Sequence, residues 1–226
     1  MTRIAVAPAI IALACALEAG AQASGNSVQV PRGDAVVIDG RIDDAEWRTA
    51  RRMEHPPGTV VRLLRDADHL YVGITSERQG FASLCVAMPN EVHVLHASAA
   101  LGAIAYRPNG DTWQSPDTAF RYSMRNTALD DAARSERAAY LRDHGWVAST
   151  VRMGNEGRSQ EMQIALNKFK LPFSLALGRW LFTNSTESWP ATLTDHEGCI
   201  SLQLVRGSVP QDLQFKVPFW LTIENR

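Results

Sequence analysis

The sequence has no surplus of charge of either sign. Its 23 basic and 24 acidic residues leave a net charge of −1, so a nucleic-acid or other polyanionic partner, which needs a basic stripe, is not expected. Catalytic signatures are equally scarce: there is no Gly-x-Ser-x-Gly, no phosphate-binding loop and no Cys-x-x-Cys pair. The six histidines are scattered at positions 55, 69, 93, 96, 144 and 196. His93 and His96 are close, but three positions along a strand point them to opposite faces, which does not make a shared metal site. No group of acids has the spacing of an EF-hand loop, and no cofactor is predicted from the residues. Beyond the N-terminal apolar run there is no stretch long enough to span a bilayer, and there is no internal repeat or low-complexity tract.

What is present begins with an export signal. Arg3 precedes an apolar run over residues 4–17, and small residues lead to Ala21-Gln22-Ala23 before Ser24. That is the layout of a secretory signal peptide over residues 1–23 with an A-x-A cleavage site. Pro8 and the lack of amphipathic spacing argue against a buried N-terminal helix. A secreted or periplasmic protein is therefore expected. A lipoprotein with its lipid on Cys15 is less favoured, since the usual leucine three places earlier is missing. Cleavage removes one base and one acid, Arg3 and Glu18, and leaves 24–226 as one domain with a sizeable apolar core. Two cysteines remain, Cys85 and Cys199. In an oxidising compartment they are a disulfide candidate, and two separate buried thiols are the other reading.

The chain is organised around residues 36–50, VVIDGRIDDAEWRTA. Residues 36–38 read as a short strand and Asp39-Gly40 as a turn. A short helix follows, with Asp43 as cap, Glu46 as the other half of a capping box, and Trp47 as a lid on the core. Over 60–75, Val61 and Leu63 alternate on one strand and Leu70, Val72 and Ile74 on the next, joined by the polar turn 66–69, which makes a hairpin. Further strands are predicted over 82–88, 91–97, 101–107, 119–124, 146–153, 159–166, 180–184, 199–205 and 213–224. The hairpin 146–166 turns at 154–157, with Val147, Val151 and Met153 in phase with Met162, Ile164 and Leu166. In the last strand Leu213, Phe215, Val217, Phe219, Leu221 and Ile223 form one apolar face, Trp220 faces away, and Pro218 marks an edge or bulge. One helix is predicted over 128–143, capped by Thr127 and ended by Gly145, lying on the surface. The spacing of the pieces predicts an all-β fold: a single β-sandwich of antiparallel strands with one inserted helix.

The Ile38-Asp39-Gly40 turn, the acidic turn ending in Trp47 and Ala50, and the run from Asp66 to Leu70-Tyr71-Val72 together resemble the family 9 carbohydrate-binding modules of the DOMON-like group. Residues 145–166 look like that family's Gly-Trp hairpin, ending in a strand with Glu161, Ile164 and Leu166. Ser188-Trp189, followed by the strand 199–205, is similar to its closing motif. The resemblance implies a DOMON-like, jelly-roll-type sandwich that binds mono- or oligosaccharide without turning it over. Pyranose rings present a C–H face that packs on flat aromatic rings, and planar polar groups read the hydroxyls. On this likeness Trp189 is the stacking ring and Arg121 the hydrogen-bond donor. Trp113, Phe81, Asn184 and Glu187 complete the candidate carbohydrate site. Family members carry Trp-x-x-Asp-x-Val-Glu where this chain has residues 79–85, QGFASLC, so Phe81 stands in for the second ring and the acid has no counterpart. Calcium is implied by the resemblance alone, and no particular protein partner is indicated.

Two alternatives remain. DOMON-like sandwiches also serve as haem-binding electron-transfer domains, for which Met88, Met124, Met153, Met162, His93 and His96 are available, although most of these methionines fall at core positions. A glycoside hydrolase would need two acids across a cleft.

Overall fold

Val61 pairs across a hairpin with Ile74, and Leu63 with Val72, so the two alternating apolar sets face the same side of one sheet. The computed structural model describes residues 26–42, 45–55, 58–125, 128–153, 157–190, 199, 204 and 206–224. Within them five strands form this sheet: β2 (Arg51–His55), β3 (Thr59–Arg65), β4 (His69–Ser76), β10 (Ser159–Ala165) and β9 (Trp146–Ala148), in that spatial order. The second sheet contains β1 (Ser27–Val28), β13 (Leu221–Ile223), β11 (Phe173–Leu181), β5 (Gly80–Met88), β6 (Glu91–Ala97), β7 (Leu101–Asn109) and β8 (Thr112–Gln114), with β12 (Thr186–Trp189) also paired to β11. The fold is an all-β sandwich with one helix. Its strands are antiparallel apart from β1, which runs parallel to β13.

Alternation decides what each layer buries. Val61, Leu63, Val72, Ile74, Met162 and Ile164 from the first sheet meet Leu84, Val86, Leu95, Leu175 and Leu177 from the second in one core. The opposite face of the second sheet carries Cys85, Val94, Ile104, Tyr106 and Ala176, and a covering segment lays Leu204, Val209, Leu213, Phe215 and Trp220 over it. Cys85 and Cys199 form a disulfide across this outer layer. Residues 36–42 and 45–50 lie against the outer face of the first sheet, where Asp39, Gly40 and Trp47 bond Glu161. The Trp47 ring lies so close to Gly73 that a Cβ there would fall 2.9 Å from it.

Several expected elements differ. Residues 36–38 form no strand, although Val36 and Ile38 are buried and Val37 is exposed as alternation requires. Trp47 is in a turn and Asp43 lies outside the described residues. Residues 119–124 make only two isolated bridges, Ala119 with Ser208 and Leu101 with Met124. In the hairpin of β9 and β10, Ile164 pairs with Trp146 and Met162 with Ala148. Trp146 is thus on the core face, one residue out of the expected register, and β9 ends at Ala148. The 154–157 turn and the 199–205 strand fall largely outside the described residues.

Residues 213–224 are not one strand. Pro218 sits in a 3₁₀ turn, Val217–Phe219, because proline fixes φ and brings no backbone donor to a ladder. The turn shifts the phase by one: Phe219 is 57% exposed and Trp220 is 1% exposed, the reverse of the predicted faces. The helix α1 is Asp131–His144. Its cap is Asp130, whose carboxylate accepts from Ala133 N at 2.8 Å, and Thr127 is outside the described residues. Gly145 ends it at φ 79° and donates to Leu141 O, as a left-handed C-terminal residue does.

Candidate functional site

The six candidate sugar-binding residues are not brought together. Trp189 pairs with Leu177 in β11, is 5% exposed and belongs to the inter-sheet core. Its place in the alternation of β12 turns it inward, so it has no open face for a sugar to stack on. Glu187 points the same way. It accepts from Arg179 Nη1 at 2.8 Å and Thr59 Oγ1 at 3.3 Å, and from the Arg78 guanidinium. Burial pushes the Arg179 guanidinium down to about 10, with the nearby Arg78 charge acting in the same direction. Glu187 is therefore the buried counter-charge of Arg179, reached from the more open side by Arg78, and with Thr59 it links the two sheets.

Asn184 is an exposed turn residue at φ 59° beyond β11. Phe81 is half-buried on the outer face, edge-on to Phe182 at 5.0 Å and to His96 at 6.4 Å. Trp113 is half-buried against Phe215, with ring centres 6.0 Å apart. It lines a separate hollow with Pro172 and Val217.

Arg121 is the candidate that faces an open hollow. It is exposed and lines a space of about 250 Å³ with Asp117, Thr118, Ala103 and Ile104. A second hollow of about 240 Å³ shares Ala103, Ile104 and Asp117 and continues to His93, His144, Trp146 and Phe169. The two meet at the edge of β7. The physical reason for the opening is the size of two side chains. On the inner face of β7 Leu101 is followed by Ala103 and Ala105, opposite Leu95 and His93, and alanine does not fill the gap beyond the edge strand β9.

The walls are well held. Ser115 N donates to Gln211 Oε1 at 3.2 Å, and Gln211 Nε2 donates to Asp117 O at 3.0 Å, so the backbone before Arg121 is pinned to the covering segment. His144 packs on Tyr140 at 4.3 Å between ring centres, and Tyr140 on Trp146 at 5.7 Å. His93 is edge-on to Phe169 at 5.3 Å and hydrogen-bonds Glu91 through Nε2 at 3.0 Å. The Arg107 hydrogen bond, aided by His93, holds the Glu91 carboxyl below its usual range. Arg121 on the first hollow and the imidazoles of His93 and His144 on the second thus flank Asp117, which lines both, and Trp146 and Phe169 back the second. Asp117, His144 and Phe169 carry no signal as sugar-site residues in the sequence, and His93 stands out there only as a metal or haem ligand, because the four come from separate segments. The legible trace was the pair of alanines at alternate positions of a strand.

The groups with the largest electrostatic perturbations lie elsewhere. Burial raises the Glu161 carboxyl to about 7 against the hydrogen bonds it receives. It accepts from Asp39 N at 3.0 Å, Gly40 N at 2.8 Å and Trp47 Nε1 at 3.1 Å, and it is fully buried. His96 is lowered to about 4 by burial, and its Nδ1 is 2.8 Å from Ser83 Oγ. His96 and His93 do face opposite ways. Met124, Met153 and Met162 are buried core residues. Among the described residues no group of three or more His, Cys, Asp or Glu is placed to hold a metal ion, and no helix is long and apolar enough to cross a membrane.

Comparison with protein-family profiles, with curated proteins and with solved structures gives no match.

Proposed function

We propose that this chain is an exported, non-catalytic carbohydrate-binding sandwich of the family 9, DOMON-like kind, with its sugar in the mouth between the sheets instead of on Trp189. The observation that carries the reading is the meeting of the two hollows at β7. A guanidinium and a carboxylate, both exposed, stand on one side and two imidazoles on the other. Arg121 offers a planar fork of donors, Asp117 accepts, the His144 imidazole has one donor and one acceptor when neutral, and His93, whose Nε2 is on Glu91, has Nδ1 left. Such a set matches a ligand rich in neighbouring hydroxyls. Trp146 and Phe169 supply the apolar backing that small-ligand sites share.

A binding role without turnover is favoured by the position of the acid with the raised pKa. Glu161 uses both carboxylate oxygens on the 39–47 segment and is closed to solvent, whereas an acid catalyst must reach its substrate. Export is supported by the N-terminal leader pattern together with the Cys85–Cys199 disulfide.

The test is calorimetric titration of the full chain with a panel of mono- and oligosaccharides, alongside Arg121→Ala and Ala103→Trp. Ala103 is exposed, so a tryptophan there fills the mouth without entering the core. Saturable binding that weakens by about tenfold or more in both variants is the expected result. Flat titrations across the panel, or binding indifferent to both changes, overturn the assignment.

A further inference from the structure

A larger hollow lies on the far side of the first sheet. It has a volume of about 350 Å³ and opens between α1, the 37–39 segment, and Val147 and Gln163 on the outer face of β9 and β10, within the low end of the roughly 300–1,000 Å³ common for small-ligand pockets. The helix borders it through Arg134, Arg137, Ala138 and Leu141, facing Val147 and Gln163 across the space. Its walls are mainly apolar: Val37, Ile38, Leu129, Leu141 and Val147. Val37 and Leu129 are 58% and 40% exposed, two large apolar side chains open to water at one mouth.

A cation is set into this apolar space. Arg137 is 7% exposed and lies on the buried face of α1 with Ala133 and Tyr140. Its Nη1 donates to Ala128 O at 2.6 Å. Among the described residues no carboxylate forms an ion pair with it. Asp39, the acid on the opposite wall, accepts instead from Arg41 N at 2.8 Å. Arg134 beside it adds a second positive charge, and it is paired to Asp131 on the outer side of the helix. The Asp130 and Glu136 carboxylates of its own cap and helix attract Arg137, but among the described residues none is in ion-pair contact with it. A buried guanidinium without a contacting counter-ion is costly, and an anion that enters the hollow relieves the cost.

We infer that this hollow is a second binding site, for a monocarboxylate carrying a short apolar chain, with the carboxylate against Arg137 and the chain along Leu129, Leu141 and Val147. An arginine fork and a carboxylate match in geometry, and the apolar walls take a tail that a sugar does not have.

Titration of the full chain with octanoate and with 1-octanol tests this. Octanoate is expected to bind at one site and 1-octanol about tenfold more weakly or worse, since the alcohol lacks the charge. Arg137→Gln should weaken octanoate by a similar factor. Ala138→Trp, on an exposed position lining the hollow, should block it while leaving the circular dichroism spectrum and melting profile of a folded protein. The inference is overturned if octanoate does not bind the unaltered protein, if it binds no better than 1-octanol, or if Ala138→Trp binds it as well as the unaltered chain.

Discussion

Trp47 Nε1 donates to Glu161 Oε1 at 3.1 Å across 114 positions of sequence. This bond joins the 39–47 segment to β10, which lies between β4 and β9 in the first sheet. The other oxygen of Glu161 accepts from the Asp39 and Gly40 amides, so one carboxyl organises the whole turn.

Burial raises the Glu161 carboxyl from its ordinary 4.5 to about 7, which gives the fold a pH dependence of known sign. The folded state holds this proton more tightly than the unfolded chain. Its contribution is complete below about pH 4.5 and is lost as the pH climbs to about 7, a span corresponding to roughly 3 kcal/mol. Denaturant melts between those limits should show falling stability, and Glu161→Gln should flatten the slope.

Gly73 has no room for a side chain. A Cβ there would lie 2.9–3.0 Å from three atoms of the Trp47 ring. Gly73→Ala is expected to cost roughly 1–3 kcal/mol, as overpacking does. Trp47→Phe combined with it should recover part of that loss relative to the two single changes added, and a double-mutant cycle measures the difference.

Trp189 and Glu187 are expected to matter for stability. Trp189→Ala removes a core ring and should cost about 3–5 kcal/mol. Glu187→Ala strands the buried Arg179 charge and should cost about 3–5 kcal/mol. Chemical denaturation reads both, and neither change acts on the mouth at Arg121 by direct contact.

The Cys85–Cys199 disulfide closes a loop of 114 residues. In the chain-entropy account it stabilises by roughly 4 kcal/mol or more. Protein prepared under oxidising conditions should show no free thiol at these positions by thiol titration under denaturing conditions, and the paired Cys85→Ala, Cys199→Ala protein should unfold at a markedly lower denaturant concentration.

Much of the fold was legible in the sequence because the strands concerned have an obligatory inside and outside. The 60–75 hairpin, β5, β6, β7 and β10 follow period-two alternation, which local sterics and burial dictate together. Where the period was ambiguous, the reading slipped. Trp146 lies one residue from the phase assumed for it, and Phe219 and Trp220 exchanged faces because a proline inserted a turn into an otherwise regular pattern. The order of the strands was not legible, since β10 joins β4 across an intervening stretch of more than eighty residues with no local signal.

The candidate site divides along the same line. The sequence by itself determined that the protein has alternating strands and that an Asp39-Gly40 turn is followed by a tryptophan set against the core. Only the tertiary structure decided that Trp189 and Glu187 point inward, that Cys85 and Cys199 meet, and that Asp117, His93 and His144 share a mouth with Arg121. The reason is physical: local pattern fixes which side of an element is apolar, whereas a site is made by the pairing of distant strands and by the space that small residues such as Ala103 and Ala105 leave between them.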